Sequence, residues 1–457
     1  MTNRLDRDFH LPGLLRFALP TIIMMLVVSL YTIVDGVLIA RLVGENALAA
    51  ANVAYPAISF TLAMGIMLGT GGSAVVAHKM GAGYLEEARR DFGFLALVAV
   101  CIGLAVCLAG ALFAGPLARL LGASDLLLDD TVTYLRVQLC FAPMAMLQLL
   151  FESFFVTAGR PGLGLGLATA AGVTNAVLDY LYMGPMQMGI LGAALGTVTG
   201  YSIPAVVGVL FFLLRRQGLR FGRPHGDLRM LGRACFNGAS EMVTNLSMAV
   251  TTFLFNAIMM AYLGEAGVSA ITIVLYAQFL LVALYMGFSM GVAPVFSFNR
   301  GAGRYDRMRR IFGYCLRFIL VSSVAILAVA LALSGVVVGI FSTPGSPVYA
   351  IALDGFRRFA PAFLFAGVNI FSSALFTALS DGRTSAIISF ARTFGFLLLG
   401  LLLLPRLLEV DGVWLAVPLA ELLSCLLSVW FLRRKRADFG FGGGDLPRHG
   451  GRGGGRI

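Results

Sequence analysis

Charge is what this sequence has least of. Asp, Glu, Lys and Arg make up 12% of its 457 residues, against 59% hydrophobic; an ordinary soluble domain is about 25% charged and about 45–50% apolar. With a mean hydropathy of +0.88, a soluble globular domain is excluded. Histidine is nearly as scarce. His10, His78, His225 and His449 lie near span ends, in loops or in the tail, never paired at a metal-ligand spacing. HExxH does not occur, and the GxSxG match GFSMG at 287–291 lies inside an apolar run, so the sequence offers no enzyme constellation and implies no cofactor. The six cysteines (Cys101, Cys107, Cys140, Cys235, Cys315, Cys425) form no CxxC and read as small packing residues within or beside apolar runs. GTGGSA at 69–74 resembles a phosphate loop but lacks its Lys and lies inside an apolar run. The opening MTNRLDRDFHLPG has no small-residue cleavage site, so the first span is expected to stay as an uncleaved signal-anchor.

What is present is apolar length. Runs near 14–40, 51–77, 93–115, 131–157, 162–183, 189–214, 234–262, 268–297, 311–341, 351–379, 384–404 and 410–432 each suit a membrane crossing of about 20 residues. The net charge of +11 could suggest nucleic acid, but its placement argues against it. With spans alternating in direction, all of the 34 Lys and Arg except Arg41, Arg119, Arg136, Arg357, Arg358 and Arg406 fall on or near the side of the N-terminus. That bias predicts both termini in the cytoplasm, with the basic clusters facing anionic lipid. The tail FGFGGGDLPRHGGRGGGRI cannot bury a core and reads as a disordered cytoplasmic extension rather than an RNA-binding arm.

The chain repeats itself at an offset of 220. Gly44-Glu45 lies over Gly264-Glu265, GAG at 81–83 over GAG at 301–303, Arg89-Arg90 over Arg309-Arg310, and Gly192 over Gly412. Each half holds six spans, so both enter the membrane in the same direction, and a ligand site is expected between them. The expected fold is an all-α polytopic membrane protein of 12 transmembrane helices, two six-helix bundles related by a pseudo-twofold along the membrane normal. Residues 1–214 form the N-lobe, 215–233 a cytoplasmic linker, 234–437 the C-lobe and 438–457 the tail. One chain contains both lobes, so a monomer suffices. Transport is the leading class.

Within the spans the costly residues gather. Asp35 is the only ionisable residue between Arg16 and Arg41, roughly 9 Å from the outer end of span 1. Asp179 lies near the outer end of span 5, with Asn175 one turn away on the same face, and Thr197 is about eight residues into span 6. A lone Asn or Thr in a membrane helix is ordinarily interhelical glue, whereas intramembrane acids are functional by default. Together the four form an oxygen-rich site for a proton or a hard cation such as Na⁺. The two acids are expected to titrate as a coupled unit.

The stretches LPTIIMMLVVSLYTIVDGVLIARLVG, NAVLDYLYM, GAALGTVTG, FFVTAGRPGLGL and GVWLAVPLAE resemble the multidrug and toxic compound extrusion (MATE) family. The resemblance runs from about residue 10 to 435. It implies two six-helix bundles in a bacterial-type plasma (inner) membrane, exporting organic cations and drugs against entering H⁺ or Na⁺, with Asp35, Asn175, Asp179 and Thr197 as the coupling-ion site. One departure stands out. Some relatives carry cation-binding acids in the outer half of the second lobe, but LSMAVTTFLFNAIMM in span 7 has none, which puts a C-lobe Na⁺ site of that type in doubt.

Other charges lie deeper. Glu152 and Glu241 sit about eight residues from the cytoplasmic ends of their spans, either lining a vestibule for cationic substrates or hydrated near the boundary. Arg392 and Glu421, mid-span on helices 11 and 12, are expected to form a structural ion pair, because an unpaired charge there is too costly. Gly192, Gly196 and Gly200 let another helix approach span 6 closely. Pro20 and Pro204 allow bends, and the methionines read mainly as packing. Two other functions remain open at this level: a flippase for a lipid-linked precursor, which calls for a cationic cavity, and a membrane sensor or scaffold.

Overall fold

Residues 4–439 are described here by a computed structural model; the Gly/Arg tail read from the sequence lies outside them from residue 440 onward. The regular secondary structure of the described residues is all helical. Span 1 is α1 (Leu11–Leu42), span 2 is α2 (Glu45–Gly81) and span 3 is α3 (Leu85–Leu120). Span 4 is built from α4 (Leu128–Cys140) and α5 (Ala142–Thr157), and spans 5 and 6 are α6 (Pro161–Met183) and α7 (Gly189–Leu214).

The second lobe begins with α8 (Leu228–Gly301), whose 74 residues would measure roughly 110 Å as one rod. Gly264, at φ 63° and ψ −150°, breaks it into spans 7 and 8. Gly44, at φ 124°, makes the same turn between α1 and α2, one repeat earlier. A side chain at either position would oppose that backbone geometry, which glycine adopts freely. Span 9 is α9 (Tyr305–Ala332), continued after a break at Leu333 by α10 (Ser334–Phe341). Span 10 is α11 (Pro347–Phe359) with α12 (Ala362–Ala378). Span 11 starts as α13 (Gly382–Phe390), passes through a π-helical stretch at Ala391–Leu397, and joins α14 (Leu398–Arg434). Glu409, at φ 50°, turns α14 into span 12. The result is twelve crossings in two six-helix bundles.

Several of these features differ from a reading as unbroken rods. Spans 4 and 10 are each bent by 55°, at Phe141 and at Ala360–Pro361. Pro143 and Pro361 cannot donate the backbone bond that a straight helix requires there. Helix α8 begins within the basic segment between the lobes. The Asp227 carboxylate accepts from the Arg229 and Met230 amides at 2.9 and 3.0 Å and starts α8, because an N-cap satisfies otherwise orphaned donors. The linker is docked as well: Phe221 stacks on Phe92 at 4.8 Å, and Arg89 donates to Gly218 O at 2.8 and 2.9 Å.

Packing divides the molecule by height. At the end carrying the termini, one continuous core runs through both lobes and includes Phe92, Phe151 and Phe212 with Phe288, Phe296 and Phe371. At the far end the lobes have separate cores, one around Ile39, Leu135 and Ala194 and the other around Phe255, Ile271 and Trp414. Glycine makes the shared end tight. A Cβ on Gly81 would strike Phe298 O, and one on Gly301 would strike His78 O, a symmetric pair at the repeat offset. The lobes are therefore joined at the terminal end and part toward the far end.

Candidate functional site

Asp35 on α1, Asn175 and Asp179 on α6, and Thr197 on α7 converge in the far half of the N-lobe. Small residues allow it. A Cβ at Gly196 would strike Asp179 Oδ1, and one at Gly200 would sit 3.3 Å from Asn175 Cβ. The α7 glycine ladder thus receives the polar face of α6, and α1 closes on the other side. The Asp35 and Asp179 carboxyl groups face each other. Asn175 Nδ2 donates to Thr197 Oγ1 at 3.5 Å, and Thr197 donates to Ala193 O at 3.0 Å.

Asp179 is fully buried. Both of its oxygens, Asp35 Oδ1 and Asn175 Oδ1 have no hydrogen-bond donor among the described residues. Buried acceptors are almost always satisfied, and leaving one bare costs about 1–3 kcal/mol, more when it is charged. This oxygen set suits a shared proton or a small hard cation. Sequence reasoning missed the aromatic wall around it. Tyr134 on α4 faces Gln138, Thr197 and both acids, and Tyr201 on α7 faces Tyr31, Tyr134 and Asp35. A Tyr inside an apolar run gives no signal of its own.

Between the lobes lies a cavity of about 250 Å³ lined by Glu152 of α5 and Glu241 of α8, with Met25, Met286 and Met290 among its apolar walls and no Lys, Arg or His among the described residues that line it. Glu241 also lines an adjoining C-lobe cavity of about 240 Å³ that contains Arg392 and Glu421. There Arg392 Nε donates to Glu421 Oε1 at 2.9 Å and Nη2 to the same oxygen at 2.5 Å. Asn369 Nδ2 donates to Glu421 Oε2 at 2.7 Å, and Ser428 holds the Asn369 carbonyl at 3.1 Å. Arg392 sits on the π-helical stretch of span 11, a feature often found at functional sites. Every oxygen of Glu421 is satisfied, unlike those of Asp179.

The MatE family profile matches residues 20–181 and again 242–402, one copy per lobe. The chain belongs to the MatE family. Among curated MatE-like relatives, the Multidrug export protein MepA of Staphylococcus haemolyticus (strain JCSC1435) is 23% identical over 428 residues, covering 92% of each chain. Two solved structures share the fold over 93% of this chain and 96% of theirs. One is a crystal structure of MATE in complex with MaL6, at TM-score 0.88 and 19% identity. The other is an outward-facing conformation of a multidrug resistance MATE family transporter of the MOP superfamily, at TM-score 0.87 and 18% identity. A MatE protein is a multi-pass membrane transporter that draws on an ion gradient and is not an enzyme.

Proposed function

We propose that this chain is a secondary active antiporter that exports organic cations and drugs in exchange for protons or Na⁺, and that Asp35, Asn175, Asp179 and Thr197 hold the coupling ion. The observation that carries this reading is the pair of facing acids whose buried oxygens have no donor among the described residues. Two like charges close together in a dry site disfavour double ionisation, so the pair exchanges one positive charge readily. Asn175 and Thr197 orient the site and supply neutral oxygens for a bound ion.

Substrate meets the interlobe cavity, where Glu152 and Glu241 attract cations and the methionine walls adapt to shape. The terminal end is cytoplasmic, from the placement of Lys and Arg in the plasma (inner) membrane. Lobes fused at that end and parted at the other then describe an outward-open state. An ion arriving from outside neutralises the N-lobe pair, repacks α1 and favours substrate release. Loading a cation from the cytoplasm accompanies ion loss there. A membrane potential adds ~2.3 kcal/mol per charge per 100 mV. The Arg392–Glu421 pair serves as a structural clamp between spans 11 and 12. The transporter works as a monomer in lipid and takes no nucleic acid.

A lipid-linked precursor flippase would need basic groups for phosphates, and the interlobe cavity has none among its lining residues. Counterflow of a fluorescent monocation in liposomes separates antiport from a flippase and from a sensor or scaffold. Asp35→Asn and Asp179→Asn proteins at equal reconstitution test the ion site. Full pH- or Na⁺-driven efflux in both would end this assignment.

A further inference from the structure

The Asp35–Asp179 pair and the substrate cavity occupy different levels of the N-lobe, and one line of side chains connects them. Tyr31 lies one helical turn before Asp35 on α1, and Gln148 one turn before Glu152 on α5. The Tyr31 ring is wedged against Gly172 of α6, where a Cβ would come within 2.7 Å of its Cδ1. Its hydroxyl lies in the neighbourhood of Gln148, Glu152 and Asp35. Gln148 Nε2 donates to Glu152 Oε1 at 3.1 Å, and Gln148 Oε1 is buried with no donor among the described residues. Glu152 is 8% exposed, and its carboxylate ends this line at the interlobe cavity.

Accepting the antiport reading above, we propose that Glu152 is a second cation station and that Tyr31 is the positioning residue through which it and the Asp35–Asp179 pair exclude each other's charge. Tyr31 has one hydroxyl proton to donate. While Glu152 is anionic and empty, Tyr31 points to the Gln148 carbonyl and, through that amide, supports the Glu152 charge. A substrate cation on Glu152 takes over that role. Tyr31 then turns to the Asp35 carboxylate, stabilises its ionised form, and the pair releases its proton to water. One organic cation is gained, one proton is lost, and no covalent bond to carbon changes.

The groups facing Glu152 fit such an exchange. They are Tyr31 from α1 and Gln148 from its own helix, and Thr70 and Ser73 from α2 and Glu241 line the same cavity. Facing Asp35 are Asp179 from α6, Tyr134 from α4 and Tyr201 from α7. None is basic, so no internal cation substitutes for either ligand.

The test uses the full chain, purified, with ethidium as the monocation. Ethidium affinity is measured across pH, and proton release on ethidium addition is measured in weak buffer. The native protein is expected to bind more tightly as pH rises and to release protons on binding. Tyr31→Phe keeps the ring against Gly172, so ethidium still binds, but the pH dependence flattens and proton release falls at least severalfold. Gln148→Leu repeats that pattern if Tyr31→Phe folds poorly. Glu152→Gln loses both affinity and release, and Glu152→Asp restores part of each. Native pH dependence and native release in Tyr31→Phe and Gln148→Leu would overturn the bridge. That failure differs from failure of the antiport reading, in which Asp35→Asn and Asp179→Asn would themselves retain ion-driven efflux.

Discussion

The two lobes share a scaffold and differ in what they bury in it. In the N-lobe, Asp179 of span 5 rests on Gly196 of span 6; in the C-lobe, Gly400 of span 11 rests on Ala416 of span 12, where a Cβ on Gly400 would sit 3.6 Å from the Ala416 Cβ. One repeat beyond Asp35 stands Phe255, fully buried, and one beyond Thr197 stands Val417, also buried. The C-lobe counterparts of Asp35 and Thr197 are thus hydrocarbon, and they line the cavity that holds Glu241, Arg392 and Glu421. Duplication preserved the glycine turns and helix contacts while the chemistry diverged. An ion bound in only one lobe biases that lobe alone, which is one way for a symmetric frame to perform a directional cycle. The strongest attempt to break this comparison is substitution at the site itself. Asp179→Asn or Asp35→Asn should reduce ion-driven efflux to background in the liposome assay, while Val417→Thr, at the matching C-lobe position, should leave it near native. Equal losses from both lobes would mean that coupling is not confined to the first.

The acids of the two lobes also predict opposite effects on stability. Glu421 is matched oxygen by oxygen, so Glu421→Gln strands the Arg392 guanidinium. Breaking a buried pair from one side costs about 3–5 kcal/mol, measurable as a lower unfolding temperature in detergent. Asp179→Asn removes a charge that has no donor among the described residues, and stability should hold or rise while transport is lost. A comparable loss of stability in the two proteins would erase the distinction between clamp and ion site.

Much of this architecture was legible in the sequence, and the reason is the solvent. In a bilayer every backbone group must be satisfied within its own helix, so apolar length alone gives the spans, and the repeat offset gives their pairing into lobes. Asp35, Asn175, Asp179 and Thr197 could be gathered by counting depth, because a helix rises a fixed amount per residue. The Arg392–Glu421 pairing followed from the cost of a lone charge. What counting could not reach was direction within a span. The 55° bends of spans 4 and 10, the π-helical stretch under Arg392, and the approach of Tyr31 to both Asp35 and Gln148 depend on how helices pack. The docking of Phe221 and Gly218 on the N-lobe is a long-range contact hidden in a segment that reads only as basic loop.

The terminal end sharpens the comparison from the other direction, because there the lobes are equivalent. Gly81 meets Phe298 O and Gly301 meets His78 O, so the two glycines close the same joint from opposite sides. Alanine at either position must push two backbones apart. Overpacking of this kind costs about 1–3 kcal/mol and falls on the closed joint alone. Gly81→Ala and Gly301→Ala should therefore each raise the accessibility of the cavity from the terminal side, by similar factors. A cysteine placed at Ser297, which lines the cavity, reports this through its alkylation rate in an otherwise cysteine-free chain. A large effect from one glycine and none from the other would show the joint to be as asymmetric as the ion site.

The smallest expected difference lies where each lobe begins. Helix α1 starts at His10 with no side-chain cap and a proline in its first turn, whereas α8 starts on the Asp227 carboxylate. The Met230 amide, with help from the Arg229 amide, holds that carboxyl below the usual range despite some desolvation acting the other way. A carboxyl depressed in the folded state contributes stability that is fully present above its unfolded value, about 3.9, and that is lost as pH falls through the lower folded value. Asp227→Ala should therefore cost about 1 kcal/mol at neutral pH, and the gap from the native protein should close in strong acid. His10→Ala should change little at any pH, since Pro12 presets the first turn of α1 without a side-chain donor or acceptor. Denaturant unfolding followed at neutral and acid pH checks both. A gap for Asp227→Ala that persists unchanged into strong acid would mean the residue acts through packing of the docked linker, and the two helix starts would then differ in neighbours instead of in capping.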